Sequence, residues 1–102
     1  MKTAIALFGN RVSPRFDCTG DFLIVTVGDQ NVSEETILTL KDDLPSAKAR
    51  CLSDINVDTL ICGGVDVGSE QALGYYGIKI VPNIKGEVQN VLNLFLKGEL
   101  GR

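Results

Sequence analysis

Between Gly9 and Asp21 the chain reads Gly-Asn-Arg-Val-Ser-Pro-Arg-Phe-Asp-Cys-Thr-Gly-Asp, and most of its reactive side chains fall in this stretch. Arg11 and Arg15 each offer a planar fork of donors whose charge never titrates away, which suits a delocalised anion. Ser13 and Thr19 add hydroxyls, and Asn10 and Phe16 flank them. Near Arg15 the thiolate of Cys18 would be favoured, raising its reactivity and its affinity for soft metals, so Cys18 is the candidate metal ligand. A plainer reading has Ser13 and Asp17 stabilising turns while the arginines are solvated. The segment's length tips the balance: about thirteen residues without periodicity exceed the usual ~4–6 of a connection, and long connections are often functional.

A second candidate is Cys62-Gly63-Gly64, which ends an apolar run and opens toward Ser69. Glycines let a backbone approach a ligand, and free N–H groups at a helix start favour anions. A tight strand-to-helix turn would use the same glycines with no ligand at all. The stretch matches neither G-x-x-x-x-G-K-[ST] nor G-x-G-x-x-G, so nothing specific to nucleotides is present. Cys62 can face either the core or the crevice, whereas Cys51 falls on an apolar helical stripe and is expected in the core. There is no histidine, which excludes Ser-His-Asp and Cys-His catalysis and His-ligated zinc. No C-x-x-C occurs either, against thioredoxin-like chemistry and ribbon zinc sites.

The elements that must position these residues follow from periodicity. Residues 3–8 and 22–27 are continuous apolar runs, as in strands covered on both faces. Gly28-Asp29-Gln30-Asn31 supplies a turn, so residues 32–40 return as an edge strand carrying Glu34 and Glu35. From Asp43 the pattern becomes helical, with Leu44, Ala47, Cys51 and Ile55 on the apolar stripe and Lys48 and Arg50 off it. Residues 58–62 and 78–81 are further strands. Helices are expected over 69–76, closed by Gly77, and over 87–97, closed by Gly98. The order β-β-β-α-β-α-β-α gives an α/β fold: a five-stranded mixed sheet, order 3-2-1-4-5, with helices on both faces. Ligands of such sheets sit beyond the carboxyl ends of strands where the winding reverses, here between the loop 9–21 and the Cys62-Gly63-Gly64 turn.

At 102 residues one domain, residues 1–102, is expected. A net charge of −3 argues against a nucleic-acid partner, which needs a basic face. The Lys and Arg residues are scattered, without a polybasic run for a membrane surface. The apolar start spans about six residues, shorter than a signal peptide's core of roughly 7–15, and no stretch approaches the ~18 of a membrane span. Three cysteines, an odd number, suit a reduced cytoplasmic setting.

With these residues in view, the chain resembles the dinitrogenase iron–molybdenum cofactor family, the NifX-like proteins and the C-terminal part of NifB. The resemblance runs through Lys2-Thr3-Ala4-Ile5-Ala6, the stretch from Asn10 to Asp17, Phe22 to Val25, Val57 to Gly64, Gly77 to Val81, and Gly86 through Leu100. It implies a ribonuclease H-like domain that binds, carries or assembles an anionic metal–sulfur cluster containing molybdenum or iron, and that is not an enzyme. Its partners would be the cluster itself and cluster-donor or acceptor proteins. The residues expected to serve it are Asn10, Arg11, Ser13, Arg15, Phe16, Cys18, Cys62, Gly63 and Gly64. Many members have His-Phe-Gly where this chain has Arg15-Phe16-Asp17, so this position would meet a cluster through charge rather than through an imidazole. Nucleases of the ribonuclease H-like fold place carboxylates on the central strands to hold magnesium; Thr3-Ala4-Ile5-Ala6-Leu7 carries none. The alternative is a protein-interaction or regulatory module that keeps the fold without metal.

Overall fold

A computed structural model describes residues 1–29, 31–41 and 44–100. Its elements in order are β1 (Lys2–Phe8), β2 (Arg11–Val12), a short 3-10 turn (Phe16–Cys18), β3 (Asp21–Gly28), β4 (Asn31–Thr39), α1 (Pro45–Asp54), β5 (Thr59–Ile61), α2 (Val67–Tyr75), β6 (Lys79–Val81) and α3 (Val88–Leu96). The sheet has six strands rather than the expected five. Its path is β4-β3-β1-β5-β6, and β2 pairs with β1 off that path. β1 is antiparallel to β3 and parallel to β5, which is parallel to β6. The carboxyl ends of β1, β5 and β6 therefore share one edge of the sheet.

Alternation along β1 divides the core in two. Ala4 and Ala6 join Phe22, Ile24, Leu60 and Cys62 beneath Ala49 and Leu52 of α1 and Leu73 of α2. On the opposite face Ile5, Leu23, Val25 and Ile61 pack against Val88, Val91 and Leu92 of α3. β4 is the edge strand, mostly exposed, with Glu34 and Glu35 in it.

Three local expectations are corrected. The loop after β1 is not irregular: Leu7 pairs with Val12 and Phe8 with Arg11 as β2 turns back on β1, and Phe16–Cys18 makes one 3-10 turn. α1 is rotated from the expected phase, burying Lys48, Ala49 and Leu52 while Leu44 is exposed and Cys51 half-buried. The physical reason lies at its N-terminus: the helix begins at Pro45, with Leu44 in an extended conformation outside it, so Leu44 could not anchor the stripe. α2 begins two residues early, at Val67, because the Asp66 side chain caps it by accepting from the Ser69 N–H. Gln30 and Asp43 lie outside the described residues.

Candidate functional site: a cleft at the carboxyl ends of β1, β5 and β6

Three connections, 9–20, 62–66 and 82–87, are laced by main-chain hydrogen bonds into one rim. Ser13 N donates to Ala6 O (2.8 Å), Gly63 N to Ser13 O (2.9 Å), Gly64 N to Pro14 O (2.6 Å) and Phe16 N to Gly64 O (2.9 Å). From the third connection Asn83 N donates to Gly63 O (2.8 Å) and Ile84 N to Cys62 O (3.0 Å). Val12 N reaches Gly86 O (3.0 Å), and Val88 N at the start of α3 reaches Asn10 O (2.8 Å). The Gly63 and Gly64 amides, which could have met an anion or simply built a tight turn, are thus spent on the neighbouring loop. Gly63 is required for that approach: a Cβ there would lie 2.6 Å from both the Ser13 and Pro14 carbonyl oxygens. Nor does the start of α2 offer a vacant anion site, since Asp66 already occupies its cap.

Among these loops lies a cleft of about 420 Å³ with Phe8, Val12, Pro14 and Ile84 as apolar walls and Gly63, Gly64 and Gly86 as backbone. Asn83, Arg11 and Lys85 are its polar residues. Both cations are exposed, and neither is in a salt bridge among the described residues. No carboxylate among the described residues lines the cleft.

Of the residues singled out by sequence, the cleft brings together Arg11, Gly63 and Gly64. Asn10 lies on a neighbouring hollow with Glu87 and Val88. Ser13 is buried, its hydroxyl donating to the Arg15 carbonyl at 3.0 Å. Phe16 is fully buried, 5.9 Å from the Phe22 ring. Cys62 is in the core, where burial pushes its thiol pKa up to about 11. Cys18 is exposed but does not line the cleft. Arg15 donates through Nε and Nη2 to both carboxylate oxygens of Asp17, at 3.1 and 2.8 Å. That fork raises the guanidinium pKa further above its ordinary value. Asp66, whose carboxyl the Ser69 hydrogen bonds hold below its usual range, also feels Arg15. Arg15 is therefore neutralised locally, whereas Arg11 is not.

Sequence reasoning missed Phe8, Val12, Pro14 and the whole third connection with Asn83, Ile84, Lys85 and Gly86. The signal was present. Residues 82–87 follow a strand parallel to its neighbour, so they had to open on the same edge. Asn83 and Gly86 take positive φ, +62° and +119°, residue types that tolerate this region.

Fold and site together define an α/β domain whose cleft, lined by Arg11 and Lys85, stands at the carboxyl edge of its parallel strands. Residues 1–98 match the family profile described as dinitrogenase iron–molybdenum cofactor, and the chain belongs to that family. No curated protein matches it in sequence. Among solved structures it is similar to the protein PH0822, with 18% identity and a TM-score of 0.91, over 98% of this chain and 92% of that one. It is also similar to the mj0327 protein of Methanocaldococcus jannaschii, with 24% identity and a TM-score of 0.82, over 98% and 91%. The apo form of the orange protein of Desulfovibrio gigas gives 23% identity and a TM-score of 0.80, over 97% and 89%. Likeness at these identities shows a shared fold.

Proposed function

We propose that this protein binds and carries an anionic metal–sulfur species, a molybdenum- or iron-containing cluster or its precursor, as cargo for acceptor proteins. The observation that carries the reading is the pair of cations, Arg11 and Lys85, without salt bridges among the described residues, on a largely apolar cleft. A sulfide-rich anion is large and weakly hydrated, so apolar walls remove little solvation from it while the cations meet its charge. The donor set favours this outer contact over ligation. Among the described residues no group of three or more His, Cys, Asp or Glu could hold a metal ion, and the Cys62 thiol is protonated and enclosed. Family membership supports the cargo's class. We further assign the fold to the ribonuclease H-like class; the central position of β1 in the path β4-β3-β1-β5-β6 supports it.

Anaerobic titration with tetrathiomolybdate tests the reading. Arg11→Ala and Lys85→Ala should each weaken binding about tenfold, the worth of a charge-assisted hydrogen bond of about 1.5 kcal/mol. Arg15→Ala should change affinity much less, because Asp17 already holds that guanidinium. Cys18→Ser tests the exposed thiol: altered metal retention would bring it into the site, and unchanged retention would leave the binding to charge. Unchanged affinity in the Arg11→Ala/Lys85→Ala double variant would sink the reading and favour a protein-interaction module.

A further inference from the structure

We propose that Lys48 is a positioning residue that straps the 3-10 turn Phe16–Cys18, and through it the loop wall of the cleft, to α1. Lys48 is 1% exposed. Its Nζ donates to the carbonyl oxygens of Phe16 at 3.2 Å and Asp17 at 3.1 Å, and lies 5.3 Å from the centroid of the Phe16 ring. No carboxylate among the described residues forms a salt bridge with it. Enclosing an ammonium without a counter-charge is expensive. A methionine of similar length would fill the same space without that penalty, so packing does not account for the lysine. What the ammonium adds is two hydrogen bonds to carbonyls of the 3-10 turn.

Those carbonyls sit at a junction. Phe16 O also accepts from Thr19 N at 3.1 Å, Phe16 N donates to Gly64 O, and Gly64 N donates to Pro14 O. Pro14 and Gly64 both line the cleft. One side chain from α1 thus ties the first and second connections of the rim to the helix layer beneath them. The ammonium meets both the Phe16 ring and the two carbonyls, so the turn is held at its ring and at its backbone.

Amide hydrogen exchange of the unliganded protein, compared among wild type, Lys48→Met and Lys48→Arg, tests the strap independently of any cargo. In Lys48→Met the amides of Phe16, Thr19 and Gly64 should exchange about tenfold faster or more, while those of Ile24 and Val25 in β3 follow only the change in global stability. Lys48→Arg keeps the donors and should restore protection to within about threefold. Equal acceleration of all these amides, or none, overturns the proposal. If Lys48→Met does not fold, Lys48→Gln is read at the same amides by the same criteria. The tetrathiomolybdate arm rests on the cluster-binding reading. There Lys48→Met should weaken binding about fivefold with Lys48→Arg near wild type, a coupling expected of residues sharing one network. Local acceleration without loss of affinity, in a wild type that binds, would overturn the link to the cleft; a wild type that fails to bind would overturn the cargo reading and leave the exchange result standing.

Discussion

Arg11 and Arg15 lie on one loop, yet their surroundings give them different work. The Arg15 fork closes on Asp17, a residue two positions away, so its charge is answered before any ligand arrives. Arg11 pairs through its backbone in β2, lines the cleft and is in no salt bridge among the described residues. Two other side chains make separate predictions. The Thr3 hydroxyl is fully buried and has no hydrogen-bond partner among the described residues. An orphaned hydroxyl of this kind costs about 1–3 kcal/mol. Thr3→Val, which swaps it for a methyl on a strand, should stabilise the protein by about 1 kcal/mol in urea unfolding; a loss of stability would show that the hydroxyl has a partner. Cys62 sets an alkaline limit. Its thiol ionises near 11 in the native protein against an ordinary 9.0, because burial disfavours the thiolate. The native state therefore holds a proton that the unfolded chain releases first, and this contribution to stability is lost as pH rises from about 9 toward 11. Urea midpoints at pH 8 and pH 10 should fall further in wild type than in Cys62→Ala, and equal falls would contradict the assignment.

At the scale of elements, the site depends on loops that touch through backbone rather than side chains. Gly63→Ala would drive a Cβ to 2.6 Å from two carbonyl oxygens, atoms that cannot rotate away, so it should cost about 3 kcal/mol. Gly28→Ala, with nothing within 4 Å of the added carbon, should lose less than about 1 kcal/mol; similar losses in both would refute the clash. This dependence also explains what the sequence displayed and what it hid. β1 and β3 were legible because apolar runs buried on both faces leave a continuous signal, and α3 because Val88, Val91 and Leu92 keep one phase. The phase of α1 is obscured in the sequence because Leu44 stands outside the helix and because its buried face includes Lys48, and a lysine counts as polar in any periodicity argument although its ammonium here finds carbonyls. The loop after β1 stands out in the sequence by its length, but its order arises from pairing with Gly64 and Gly86, contacts of long sequence separation that no local pattern announces. Lys85 carries no local signal because its loop is short and ordinary in composition, and only the parallel register of β5 with β6 brings it to the cleft.

The whole molecule carries a net charge of −3 while its cleft presents two cations, and this opposition makes a kinetic prediction. The chain's principal extents are 31 × 24 × 23 Å. At about 0.01 M salt the Debye length is ~30 Å, so an approaching dianion senses the entire molecule and is repelled. At about 0.15 M it is ~8 Å, and the ligand senses little beyond Arg11 and Lys85. Adding salt across this range should therefore raise the association rate of tetrathiomolybdate about two- to threefold. Dissociation should also quicken, since the contact attraction is partly screened, leaving the equilibrium affinity only weakly salt-dependent. A protein that gathers its anion through a global positive field does the reverse, losing association rate as salt is added. Stopped-flow mixing at the two ionic strengths separates the cases. Lys85→Glu sharpens the comparison, because it deepens the net charge and removes a local cation together, and should slow association at both salts. An association rate that falls with salt in the wild type would mean that positive charge, not the net charge of −3, governs the approach, and would overturn this prediction.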